Sequence, residues 1–134
     1  MLANFAKVHL GGEKNMYRIA ICDDDLVFGS LLEQYLQNFA KTRRIPIDVL
    51  VFARGEEYLE FLIEELPVDL IFLDIQFEKG LDGVQIGKEL RADIKNEMTQ
   101  IIYISGIESY AMQLFQNRPM DFLVKPVKQE RVDH

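Results

Sequence analysis

Short apolar runs alternate with longer stretches of helical period along nearly the whole chain. The runs are YRIAIC (17–22), PIDVLVF (46–52), DLIFL (69–73), QIIYI (100–104) and DFLV (121–124). All five read as strands, and YRIAIC, DLIFL and DFLV, rich in Ile, Leu, Val and Phe and bounded by charge, have the pattern of strands buried on both faces of a sheet. Pro46 opens the second run, where a missing N–H is tolerated. Between the runs, Phe28, Leu31, Leu32, Tyr35 and Phe39 recur at helical spacing through about Lys41. Arg54 to Leu66 repeats the pattern with Tyr58, Phe61, Leu62 and Leu66, and stops before Pro67. Val84, Gly87, Leu90, Arg91 and Ile94 define a third helix; Tyr110, Ala111, Leu114 and Phe115 define a short fourth, closed at Arg118-Pro119. A last helix starts at Lys128 and is not finished. Repeated βα units imply a doubly wound α/β fold: one parallel sheet, helices on both faces, right-handed crossovers. No repeat, low-complexity tract or interdomain linker interrupts it.

With 134 residues, 49% of them hydrophobic and 28% charged, the chain has the size and composition of one globular domain. Its net charge of −7 argues against binding a phosphate backbone, which calls for a basic face. No apolar run reaches the length of a membrane span. Residues 1–15, MLANFAKVHLGGEKN, are mixed in character and broken by Gly11-Gly12, unlike the continuous apolar core of a secretory signal. They read as an extension, an added leader or an alternative start, with Met16 opening the domain proper, 16–134. A single cysteine, Cys22, cannot form an internal disulfide, which fits a reducing cytoplasm. In the first apolar run it reads as a small buried thiol.

Charge at the strand ends carries the chemistry. Asp23 and Asp24 follow the first run, Asp74 the third and Lys125 the fifth. If the carboxyl ends of these strands lie side by side, three carboxylates and one ammonium share a crevice of the kind that holds ligands in open α/β sheets. Clustered carboxylates repel, so a cation must compensate them or a proton must stay bound. Mg²⁺ suits such a site, being hard, oxygen-seeking and usually held by one or two carboxylates plus a phosphate. Zinc lacks a ligand set here, with one cysteine and with His9 and His134 near the chain's extremes. A carboxylate can also attack phosphorus to give an aspartyl phosphate, with a cation and a lysine neutralising the transferred oxygens. Ser105, ending the fourth run, could donate to the new phosphoryl group, and Gly106 leaves room for it.

The strings ICDDD, FLDIQ, a DG turn, YISG and FLVKP, in that order, resemble the receiver domain of two-component response regulators, from Tyr17 to Arg131. The resemblance implies a flavodoxin-like sheet of five parallel strands in the order 2-1-3-4-5, with the last helix truncated. It implies that Asp74 accepts the phosphoryl group, and that Asp24, Asp74 and the backbone carbonyl of Gln76 hold Mg²⁺, with Asp23 acting through a water. Lys125 matches the family's lysine, and Pro126 the proline whose preceding peptide bond is usually cis. Ser105 matches the switch hydroxyl and Phe122 the switch aromatic. The implied protein is a cytoplasmic signalling phosphoacceptor that assists its own phosphorylation and dephosphorylation, and is not otherwise an enzyme. A histidine kinase is the implied phosphodonor, and the face of the fourth helix and fifth strand a route to homodimers. DNA would be met only through an output domain outside this chain, and a membrane not at all. The stretch SYAMQLFQNRPMDFLVKPV resembles receivers joined to LytTR-type DNA-binding domains.

Two departures stand out. The loop QFEKGLDG after Asp74 lacks the family's proline and is one residue longer, and few residues follow Pro126 to complete a helix, a gap that the leader could cover. Each residue alone has a plainer reading: Asp25 or Asp24 as a helix cap, Asp74 as a loop acid, Lys125 as a solvated lysine, Ser105-Gly106 as a turn. Phe122 fits core packing as well as a switch. The rival functions are a receiver-shaped interaction module that is never phosphorylated, and a Mg²⁺-dependent phosphatase of the haloacid-dehalogenase type. The phosphatase needs an acid two residues beyond the nucleophile, where Gln76 stands.

Overall fold

Alternation along each central strand sends successive side chains to opposite faces, and this divides the interior into two cores. The computed structural model describes residues 2–3, 16–75, 82–92, 98–106 and 118–134. Strands β1 (Tyr17–Cys22), β2 (Ile47–Phe52), β3 (Leu70–Asp74), β4 (Gln100–Ser105) and β5 (Asp121–Val124) form one sheet. All its pairings are parallel, in the order β2-β1-β3-β4-β5. Helices α1 (Leu26–Arg43), α2 (Gly55–Glu64), α3 (Gly83–Ala92) and the short α4 (Gln129–Asp133) complete the described elements. The helix expected around Tyr110–Phe115 falls outside the described residues. The doubly wound reading and the 2-1-3-4-5 order are both observed.

Ile19 and Ile21 of β1, Leu70 and Phe72 of β3, and Ile102 and Ile104 of β4 face one core with Leu32 and Leu36 of α1. Their alternates Ala20, Cys22, Ile71, Leu73, Ile101 and Tyr103 face the other, with Tyr58 of α2 and Ile86 and Leu90 of α3. Burying a side chain of this size stabilises the fold by about 1.5–3 kcal/mol. Leu2, from the segment read as an extension, is buried in the first core together with Val127 and with Val132 of α4. The expectation of a strand buried on both faces is corrected for β5, which is only partly buried along its length, as is β2. These two strands are the sheet's edges. An edge strand is packed by fewer neighbours, so its outer positions stay wet.

The start of α1 sets the geometry of the site. Asp25 is its N-cap, with an extended backbone and a carboxylate accepting the Phe28 N–H at 3.1 Å. At the other end Arg44 takes a left-handed conformation (φ 56°) and its N–H reaches the carbonyls of Ala40 and Lys41. Replacing Asp25 by Ala leaves the Phe28 N–H without its carboxylate and should cost about 1 kcal/mol. Urea denaturation of the variant will read this as a lower midpoint at unchanged slope. An unshifted midpoint would remove the cap from this account.

Candidate functional site

Strand register assembles the site one step at a time. Cys22 pairs with Leu73, so Asp23 and Asp74 leave the sheet next to one another at the carboxyl ends of β1 and β3. Asp74 pairs with Ile104, which puts Ser105 one residue further along β4; Ser105 pairs with Val124, which puts Lys125 one residue further again. β5 therefore does not adjoin β3. The Lys125 stem spans the end of β4 to bring its ammonium to the acids.

One carboxylate oxygen each from Asp23, Asp24 and Asp74 lie within 4.8 Å of one another. Asp23 is fully buried and Asp74 nearly so, at 0% and 5% exposure, while Asp24 is more open to solvent. Asp23 Oδ1 accepts the Asp25 N–H at 2.9 Å. Lys125 Nζ lies 2.9 Å from Asp23 Oδ2 and donates a longer hydrogen bond of 3.4 Å to Asp74 Oδ2. The closer contact pairs a buried carboxylate oxygen with the ammonium, so both Asp23 oxygens are held, Oδ1 by a backbone N–H and Oδ2 by Lys125. Burial works against the Lys125 ammonium, but the Asp23 carboxylate and then Asp74 outweigh it and hold its pKa above the ordinary value. The lysine is therefore cationic throughout the neutral range. Its ammonium also sits over the ring of Phe28, 4.5 Å from the centroid.

Three carboxylates against one ammonium leave two negative charges to compensate. The donor set is all oxygen, one carboxylate oxygen from each of three acids drawn from the ends of two adjacent strands. Such a set fits a hard divalent cation. Ser105 is buried beside the cluster, and its carbonyl accepts the Lys125 N–H at 2.8 Å. A Cβ built on Gly106 would meet nothing within 4 Å among the described residues. The Lys125–Pro126 peptide bond is cis. Phe122 is partly buried and packs against the second core. Gln76, and most of the QFEKGLDG loop with it, lies outside the described residues. Cys22 is buried, and burial pushes its thiol far above the ordinary range, which keeps it out of this chemistry.

Two contributors were not read from the sequence as parts of the site. Phe28 carries the signal of a core helix position and nothing that points to Lys125. Gly83 closes the loop after Asp74: its N–H reaches the Ile75 carbonyl at 3.1 Å, and a Cβ there would lie 2.1 Å from the Asp74 carbonyl oxygen. The Asp-Gly turn signal marked the position, but not the backbone it touches.

Comparison with known proteins agrees with this geometry. The response regulator receiver domain family model matches residues 19–134. A sensory transduction protein LytT from Oceanobacillus iheyensis is 34% identical over 77 residues, covering 58% of this chain and 30% of that protein. The chain spans less than half the length of such curated relatives. A response regulator structure from Chloroflexus aurantiacus superposes with a TM-score of 0.76 at 25% identity, covering 88% of this chain and 92% of that one. The receiver domain of a sensor histidine kinase from Pseudomonas aeruginosa, solved with a magnesium ion coordinated in its active-site cleft, gives 0.70 at 21% identity, covering 87% and 90%. With its five-stranded order, its acid cluster and a family match running from β1 to the last residue, the chain belongs to the receiver domains of two-component response regulators.

Proposed function

We propose that Asp74 is the phosphoacceptor of a Mg²⁺-dependent switch driven by a histidine kinase. The observation that carries this reading is the meeting of Asp23, Asp24, Asp74 and Lys125 at one end of the sheet. A carboxylate oxygen of Asp74 attacks the phosphorus of a phosphohistidine; the P–O bond forms as the P–N bond breaks, and the leaving imidazole takes up a proton. Asp24 and Asp74, with the Gln76 carbonyl, would hold the cation directly, and Asp23 through a water. When bound, Mg²⁺ supplies positive charge for the phosphoryl oxygens. Lys125 neutralises a second oxygen from the other side, and the Ser105 hydroxyl donates to the group in the space left by Gly106.

Phosphorylation adds about −1.5 to −2 charges, which draws Ser105 and Lys125 inward and shifts Phe122 and the face around β5. That face is the proposed route to a homodimer. The receiver domain is residues 16–134, with 1–15 as its extension. A transcriptional output domain, carried elsewhere in the full-length protein, is the proposed reader of the switch, in keeping with the LytT relative. The cytoplasm is the proposed compartment. Among the described residues no helix is long and apolar enough to cross a membrane.

Beryllofluoride with Mg²⁺ mimics the phosphoryl group and tests the reading directly. Amide resonances of Asp74, Ser105 and β5 are expected to shift, and chelation of the metal to reverse the shift. An unchanged amide spectrum would overturn the proposal in favour of a receiver-shaped interaction module.

A further inference from the structure

The contacts around Lys125 form a closed ring of interactions. Asp23 Oδ1 is held by the Asp25 N–H at 2.9 Å, while Asp23 Oδ2 faces the Lys125 ammonium at 2.9 Å. The Asp25 carboxylate in turn caps the N–H of Phe28 at 3.1 Å, and the Phe28 ring returns to the same ammonium with its centroid 4.5 Å from Nζ. Phe28 is itself locked, being 8% exposed and packed in the first core. The ammonium, by contrast, ends a flexible four-carbon stem with about 2 kcal/mol of rotamer entropy. A ring face on one side and carboxylates on the other confine it. An aromatic quadrupole attracts a cation most where water is excluded.

We propose that Phe28 is a positioning residue for the phosphorylation reaction. Its ring holds the Lys125 ammonium at the acid cluster before the phosphoryl group arrives. This rests on the reading of Asp74 as phosphoacceptor, and it adds a role that neither the acid cluster nor the lysine supplies. Preorganised charge costs no rearrangement when the transferred oxygens approach. The ring does not touch the reacting atoms; it acts through the lysine.

Phe28→Leu keeps an apolar side chain in the core and removes the quadrupole, whereas Phe28→Tyr keeps the ring. Nuclear magnetic resonance of the full 134-residue chain, without phosphodonor, reads the contact itself. The Lys125 Hε protons are expected to be ring-current shifted in wild type and Phe28→Tyr, and to lose that shift in Phe28→Leu. With acetyl phosphate and Mg²⁺, the initial phosphorylation rate is expected to fall about threefold to tenfold in Phe28→Leu and to be restored in Phe28→Tyr. Unshifted Hε protons in wild type would overturn the proposal, as would a Phe28→Leu rate equal to wild type or an equal loss in Phe28→Tyr. A wild-type chain that takes up no phosphoryl group while showing the ring-current shift would instead strike at the assignment of Asp74, leaving the contact standing.

Discussion

A chain carrying Asp74→Asn will take up no hydroxylamine-labile phosphate from acetyl phosphate and Mg²⁺ under conditions in which the wild type labels. The substitution keeps the shape of the side chain and removes its negative oxygen, so attack on phosphorus falls to background. Unfolding does not account for this loss. Asp74 is 5% exposed in a cluster where three carboxylates face one ammonium, and neutralising one acid relieves like-charge repulsion while Lys125 retains its 2.9 Å partner Asp23. The variant should therefore unfold at a urea concentration no lower than that of the wild type. The two measurements together separate lost chemistry from lost structure. Phosphate that persisted on the variant with the same lability would place the acceptor elsewhere.

Gly83→Ala should damage stability and phosphorylation together. An added Cβ would stand 2.1 Å from the Asp74 carbonyl oxygen, 2.8 Å from its carbon and 3.0 Å from the Ile75 Cα. All three are backbone atoms, and the sheet pins them: Asp74 pairs with Ile104, and the Ile75 N–H reaches the Ile104 carbonyl at 3.0 Å. Either the start of α3 moves away, losing the 3.1 Å hydrogen bond from Gly83 N–H to the Ile75 carbonyl, or the end of β3 moves and takes Asp74 with it. Overpacking of this kind costs about 1–3 kcal/mol. A lower urea midpoint and a slower initial rate with acetyl phosphate are the expected pair of results. Gly29→Ala is the control. Its Cβ would meet only Val51 Cγ1 at 3.8 Å, ordinary contact distance, and alanine in the first turn of α1 should gain up to about 1 kcal/mol. A Gly83→Ala chain as stable and as reactive as the wild type would show that the loop yields without moving Asp74.

The cap at Asp25 and the buried thiol at Cys22 were both legible as local chemistry. Asp25 stands immediately before a helical repeat, and Cys22 stands inside an apolar strand. The acids and the lysine were legible for a related reason, since a charge ending a buried run must lie where the strand leaves the sheet. The edge character of β2 and β5 came only with the strand order that the family resemblance implied and not from their composition, because their residues are as apolar as those of the central strands. What differs is the number of neighbours, and neighbours are not written in a local pattern.

From residue order alone came the periods of two and of 3.6, and with them five strands, the helices between them and the charges at the strand ends. These follow from backbone geometry, which repeats over a few residues and leaves its mark on any stretch long enough to read. Only the tertiary structure decided that Lys125 spans β4 to reach Asp23 and Asp74, that the Phe28 ring faces its ammonium, and that Gly83 presses on the Asp74 carbonyl. The two site pairs join residues 51 and 97 positions apart: Asp74 to Lys125, and Phe28 to Lys125. Their distances are set by strand register and by packing across a layer, which depend on the whole sheet at once.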